Sequence, residues 1–343
     1  MRKAGLSALL LLILVGALSV HSAWRWWHMP TSGSDVMLVV DAGSSLRTVA
    51  DDLARHQVLT RPGLWRLVAR WQGQDAKVQR GEYSLVMPRS PAQLLNMLVE
   101  GKVITYSVTL AEGLTFQQAF SLIQSQVSVR KELAAPDDPK LLALIAPREH
   151  PEGLFFPDTY VYRRGDSDLE LLRQAYHRME AVLDDVWVDR SPALPYTTPY
   201  EALIMASIVE KETGMPDERE QIAGVFVRRL DRGMRLQTDP TIIYGLGEGF
   251  DGNLRRRHLN DDRNPYNTYR HDGLPPTPIA LPGRAALLAA LHPASGNSLY
   301  FVARGDGSHQ FSATLAEHEA AVKQYQLRRR ADYSSAPRHP GKG

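Results

Sequence analysis

Residues 201–213 read EALIMASIVEKET, and their spacing decides how the larger part of the chain is built. At roughly 100° per residue, Ile204, Met205, Ile208 and Val209 fall on one side of a helix. Glu212 lies within roughly 10–20° of the centre of that apolar face, whereas Glu210 lies about 160° away, on the polar side. Leu203 is the one large apolar residue off the stripe. A charged, unpaired carboxylate in a buried stripe is costly, so its pKa rises. That suits a group which must donate a proton near neutral pH. Gly214 supports a second reading, in which the helix ends at Thr213 and Glu212 is solvated past the last apolar turn. The mouth of a helix is also where a cleft residue sits, so the two readings overlap.

Upstream of this helix, residues 191–200 form a Pro-rich connector, and Leu169 to Val186 carries a long helical pattern. Residues 134–152 are rich in Pro, Asp and Ala and are expected on the surface. Thr115-Phe116-Gln117-Gln118 has the spacing of a capping box, and Val103–Leu110 reads as a strand leading into the larger domain. Before it, residues 36–105 alternate short strands and helices. Val36–Val40 and Gly81–Val86 read as strands. Leu46, Val49, Ala50 and Leu53 mark an amphipathic helix, and another runs over 61–71. Ser90-Pro91-Ala92-Gln93 opens a further helix, with Ser at the N-cap, Pro at N1 and Gln at N3. No candidate catalytic cluster lies in this small unit. At the other end, residues 331–343 have few apolar side chains and are expected to be disordered.

The N-terminus is of a different kind. Arg2 and Lys3 precede a nearly unbroken apolar run from Ala4 to Val20. With its small flanks, such a run can just cross a bilayer core of roughly 30 Å. Positive charge before the run places the N-terminus inside, and Trp24, Trp26 and Trp27 resemble an interfacial belt on the outer side. A cleaved signal peptide is the alternative, with His21-Ser22-Ala23 as a poor cleavage site. Either way the rest of the chain is exported. Bulk composition fits a globular protein: of 343 residues, 43% are hydrophobic and 23% charged. A formal net charge of +2 gives no reason to invoke nucleic acid. The absence of cysteine removes disulfides, thiolate nucleophiles and Cys-bound zinc.

Several motifs carry a resemblance: EGLFFPDTY (152–160), ASIVEKET (206–213), RLQTDPTIIY (235–244), YNTY (266–269), GLPPTPIA (273–280), Pro282-Gly283, His292-Pro293 and Tyr300-Phe301-Val302. In this order they closely resemble the MltG (YceG-like) family of endolytic murein transglycosylases, over nearly the whole chain. The resemblance implies an α+β protein. Residues 1–27 would be a cytoplasmic N-terminus and transmembrane anchor, 28–35 a linker, 36–105 a LysM-like domain and 106–330 the catalytic domain. It makes the second Glu of the VEKE run, here Glu212, the catalytic acid/base. It implies cleavage of the β-1,4 bond between N-acetylmuramic acid and N-acetylglucosamine, with closure of a 1,6-anhydro ring. It also implies anchorage in the inner membrane, a periplasmic catalytic domain, murein glycan strands as substrate and work beside membrane-bound murein synthases. No cofactor and no metal are expected.

Other motif residues keep two readings each. Gln237, Thr238 and Asp239 can hydrogen-bond N-acetyl and hydroxyl groups, while Asp239-Pro240 is also good turn chemistry. Asp239 is the second carboxylate if the protein is a muramidase-type hydrolase instead. Asn267 and Tyr269 suit sugar recognition, or the tyrosines are core. Glu152 and Asp158 could line the groove, with a role in the fold the favoured reading, and Gly273–Pro276 is assigned to a rigid loop at the cleft. His292 is expected to hydrogen-bond in a buried or cleft position. Lys211 lies about 90° off the apolar face, with no phosphate-cradling loop to support Schiff-base chemistry. A non-catalytic glycan-binding scaffold is the remaining alternative.

Overall fold

The computed structural model describes residues 2–327, so the expected disordered tail at 331–343 lies outside the described residues. The chain divides into two compact units. Among the described residues, the first comprises 2–107 with Val127–Arg130 and Val161–Ser167, and the second takes the remainder.

The first unit begins with helix α1 (Arg2–His28). By length and composition its segment Leu9–His28 is long and apolar enough to cross a membrane. Strand β1 (Val36–Val40), helices α2 (Leu46–Arg55) and α3 (Pro62–Trp71) and strand β2 (Gly81–Leu85) follow. β1 and β2 pair antiparallel, with Val36 opposite Leu85 and Val40 opposite Gly81. α4 (Pro91–Glu100) starts at the capping box expected from sequence. Ser90 Oγ accepts from Gln93 N at 3.2 Å, and Gln93 Oε1 accepts from Ser90 N at 2.8 Å. The helix stops at Gly101, whose φ of 65° is the left-handed C-cap that glycine adopts without steric cost. Leu38, Leu53, Trp65, Tyr83, Leu94 and Leu98 fill the core between these elements.

Trp27 belongs to that same core at 9% exposure, and Trp26 packs against it. Trp26 Nε1 donates to Thr60 Oγ1 at 3.0 Å, and the Arg61 guanidinium lies 5.9 Å from the Trp26 ring centroid. Of the three tryptophans read as a lipid-facing belt, only Trp24 is largely exposed, at 61%. Burial of large rings in a protein core has displaced two of them from that role. The segment read as a linker is also tied down: Thr31 N and Oγ1 both donate to Arg89 O at 2.9 Å.

β3 (Thr105–Thr109) and β4 (Thr159–Arg163) form a two-stranded sheet and contribute residues to both units. In the second unit α5 (Phe116–Gln124) opens at Thr115 with the expected capping box. Residues 134–152 are not simply surface. Asp138 caps α6 (Pro139–Ile145), which buries Leu141 and Ile145, and Pro151–Pro157 is buried throughout. α7 (Asp168–Val188) is the long helix read from its periodicity.

α8 (Pro199–Glu212) is the central helix of this unit. It starts inside the Pro-rich connector, where Thr198 and Glu201 form a capping box with Pro199 at N1. Every residue from Ala202 to Val209 is buried, Leu203 included, because neighbours pack around it. Those neighbours are α7, α9 (Arg219–Asp231), α10 (Asp239–Leu246) and, after the short helix α11 (Arg256–Leu259), α12 (Arg284–Leu291). Over Ala202–Val209 a helix surrounded in this way has no solvated side, whatever its wheel shows. β5 (Tyr300–Ala303) and β6 (His309–Ser312) close the unit as a hairpin against α13 (Leu315–Val322).

Candidate active site

α8 ends where the sequence suggested, with Thr213 extended at φ −141° and its Oγ1 accepting from Met215 N at 2.9 Å. That ending puts Glu212 in the last helical turn, next to the N-terminus of α10. Thr238 is the N-cap residue of α10, yet its hydroxyl makes no capping bond. It donates instead to Glu212 Oε1. Thr238 is itself 2% exposed, and Glu212 is half-buried.

Burial lifts the pKa of the Glu212 carboxyl to about 7. The Thr238 hydrogen bond opposes the rise, the charge of Asp239 adds to it, and the charge of Arg229 opposes it. The site therefore holds a carboxyl that is half protonated near neutral pH, with a hydroxyl donor ready for its ionised form.

The loops around Glu212 are hydrogen-bonded to one another. Gln237 N donates to Thr268 O at 3.2 Å, and Thr238 N to Thr268 Oγ1 at 3.1 Å. Thr241 Oγ1 donates to Thr238 O at 2.8 Å and also lies 2.9 Å from Thr268 Oγ1. Gln237 sits at φ +52°, a left-handed conformation that costs a non-glycine residue about 1–2 kcal/mol. Its side chain is exposed, and its Oε1 accepts from Arg229 Nη1 at 3.3 Å. Asp239 is exposed too, and its Oδ1 accepts from the Tyr269 hydroxyl at 2.8 Å.

Asn267 is fully buried. Its amide donates to His258 O, Leu259 O and Asp261 O at 3.1, 3.2 and 2.7 Å, and its Oδ1 accepts from Tyr269 N at 3.1 Å. It holds the 258–269 loop and thereby places Tyr269. Of the residues singled out in the sequence, Glu212, Gln237, Thr238, Asp239 and Tyr269 gather here, and Asn267 supports them from behind. His292 is half-buried at the C-cap of α12.

Glu210 departs from its expected solvated position. Its side chain is 6% exposed, and it faces the Arg219 guanidinium at 3.6 Å. Its Oε2 accepts from Gly283 N at 3.0 Å. Burial raises its pKa, the Gly283 amide lowers it, Glu112 raises it and Arg219 lowers it.

One residue escaped the sequence reading. Arg229 is 7% exposed, and its guanidinium donates to Leu299 O at 2.7 Å and Leu236 O at 2.8 Å, beside the acid. The signal was available: Ile222, Phe226 and Arg229 share one face of α9, and both apolar members are core. Glu152, whose favoured reading is a role in the fold, is 2% exposed. It accepts from Phe116 N at 2.9 Å and from the Tyr244 hydroxyl at 3.1 Å. Burial lifts its carboxyl to about 7 despite those bonds. Next to it Gly153 has φ +77°, and a Cβ there would collide with Pro278. That close approach fastens the 152–158 motif to the proline loop. Among the described residues, no three His, Asp or Glu side chains gather into a group that could hold a metal.

Residues 38–324 match the model of the YceG-like family. A Bacillus subtilis (strain 168) protein named endolytic murein transglycosylase is 29% identical over 317 residues, covering 86% of each chain. A Streptococcus pneumoniae (strain ATCC BAA-255 / R6) protein of the same name is 25% identical over 332 residues. That match covers 84% of this chain and 58% of the streptococcal one, so the chain spans less than two thirds of that relative. A crystal structure of a YceG-like protein from Listeria monocytogenes superposes with a TM-score of 0.54 at 28% identity, covering 84% of this chain and 98% of that one.

Proposed function

The chain belongs to the YceG-like family, and we propose that it is an endolytic murein transglycosylase with Glu212 as its single acid/base. The observation that carries this is a carboxyl at a helix end with its pKa lifted to about 7 and a buried hydroxyl donor already in place. Protonated Glu212 gives its proton to the glycosidic oxygen between N-acetylmuramic acid and N-acetylglucosamine, and the bond to the muramoyl C1 breaks. The resulting carboxylate, stabilised by Thr238, takes the proton of the muramoyl 6-hydroxyl as that oxygen attacks C1. A 1,6-anhydro ring forms and Glu212 is protonated again. One carboxyl serves both halves because its protonation state alternates. Attack from the same ring has the high effective molarity of an intramolecular reaction.

The exposed Gln237 amide binds polar groups of the sugars. Asp239, oriented by Tyr269, places a negative charge beside the developing positive charge at C1. Asn267 acts through Tyr269 rather than on the sugar. The first unit, with its β1-α2-α3-β2 order, is LysM-like and adds glycan affinity. α1 is a single-pass anchor in the inner membrane that leaves the catalytic unit in the periplasm. There it terminates nascent strands beside the membrane-bound synthases that extend them.

Cleavage of purified strands in oxygen-18 water tests the reaction. Unlabelled 1,6-anhydromuramoyl ends are expected. Reducing muramic ends carrying the label would establish a hydrolase with Asp239 as its second carboxylate. Binding without new ends of either kind would establish a scaffold.

A further inference from the structure

A cavity of about 1090 Å³ opens between the start of α5, the end of α8 and one face of α10. Lys211, the residue before Glu212, and Pro240, the residue after Asp239, form part of its wall. The cavity therefore borders α8 and α10, the two elements that carry Glu212 and Asp239, although neither carboxyl lines it. Its size is at the upper end of what a small-ligand pocket needs, enough for several residues of an extended chain. Leu142, Ile243 and Ile279 give it an aliphatic floor, and Glu152 is the buried carboxyl at its back.

The rim is charged in a way that sugars do not require. Asp137, Glu149 and Glu248 line it together with Lys211. Lys211 Nζ donates to Gly113 O at 3.1 Å. Among the described residues none of these four makes an ion pair. The amino sugars of murein are uncharged along the glycan backbone, so such a rim has nothing to meet there. The charged and methyl-bearing part of the same substrate is the short peptide on the muramoyl lactyl group. That peptide carries free carboxylates, alanine methyls and the ammonium of a diamino acid. Carboxylates suit Lys211, the ammonium suits the acidic rim, and the methyls suit the aliphatic floor.

We propose that this cavity is a subsite for the peptide stem of the muramoyl residue being cleaved, so that the protein selects stem-bearing strands over stripped ones. The proposal rests on the transglycosylase reading and extends it from glycan to peptide. Lys211 and Ile243 are binding residues in this account.

The test uses the full chain in detergent with two substrates, intact strands and strands stripped of stems by an amidase. The intact strands are expected to show a kcat/KM at least about tenfold higher, carried mainly by KM. Lys211→Met and Ile243→Asp are expected each to erase most of that ratio. Equal kcat/KM for the two substrates, or variants that keep the ratio, would overturn the proposal. A binding measurement separates it from the parent reading. Free murein pentapeptide is titrated against the Glu212→Gln protein, with binding expected and weakened about tenfold by adding Lys211→Met. No binding overturns the subsite. Peptide binding by a protein that cleaves neither substrate supports the subsite and removes the transglycosylase reading alone.

Discussion

Two glutamates at the end of one helix have opposite surroundings. Glu210 is enclosed by a guanidinium and a backbone amide, and its charge is matched by Arg219. Glu212, two residues on, receives a single hydroxyl, and burial with Asp239 nearby pushes it toward its neutral form. The first ties the start of α12 to α8 through Gly283 N and faces Arg219, although burial still raises its pKa. The second, in the proposed function, exchanges a proton near neutral pH. Burial alone does not distinguish a strut from a catalyst, because it raises the pKa of both carboxyls. What separates them is the group in direct contact: a guanidinium and a backbone amide on Glu210, a hydroxyl on Glu212 with the Arg229 charge acting without a hydrogen bond.

The sharpest way to break this contrast is the pair of amide substitutions. Glu212→Gln keeps shape and removes the proton, and is expected to cut cleavage of purified strands by about 10³-fold or more. Glu210→Gln is expected to keep activity within about threefold per folded molecule. It should lower stability by about 1–3 kcal/mol in urea unfolding, because Arg219 loses its nearer partner. Equal loss of activity in both variants, with no loss of stability, would reverse the assignment.

Glu152 extends the comparison to a third buried carboxyl. Its pKa is higher folded, about 7, than its ordinary 4.5. The folded state therefore holds its proton more tightly, and stability falls as pH rises from 4.5 to about 7. Glu152→Gln is expected to remove this share of the slope, on the order of 3 kcal/mol, when unfolding is compared at the two ends of that window. An unchanged slope would mean that Glu152 ionises as easily folded as unfolded.

Thr238→Val removes the hydroxyl that favours the Glu212 carboxylate while keeping the residue's volume. The alkaline limb of kcat/KM, expected near 7 in the parent, should move upward, and the rate should fall about tenfold. A downward shift would contradict the role given to this bond. Tyr269→Phe frees Asp239 without removing it, and a loss of about three- to fivefold is expected, because Asp239 is exposed and water can replace the lost donor. A loss as large as that of Glu212→Gln would make Asp239 a second essential carboxylate.

Local signals were legible in the sequence. The capping boxes at Ser90 and Thr115, the strands at 36–40 and 81–85 and the end of α8 follow from residues a few positions apart. Glu212 was reachable because helical phase and helix end are both local. What the sequence hid was contact across distance. The wheel assigned Glu210 to solvent because it assumes one wet face, whereas α8 is enclosed by helices that precede and follow it. The start of α8 was masked by the prolines around Thr198, although Pro199 is well placed at N1. Trp26 and Trp27 read as a membrane belt because their alternative, a core built from residues up to Leu98, is not visible in the N-terminal stretch itself. The partners of the acid are equally remote: Thr238 is 26 positions from Glu212, and Tyr269 is 30 from Asp239.

The central claim is that Glu212, unlike an ordinary carboxyl, changes its protonation state close to neutral pH. Its side-chain carboxyl can be followed by carbon-13 NMR in the purified chain, with the resonance assigned by its disappearance in Glu212→Gln. The account predicts a titration midpoint near 7 for that resonance. A midpoint near the ordinary value of 4.5 would contradict it.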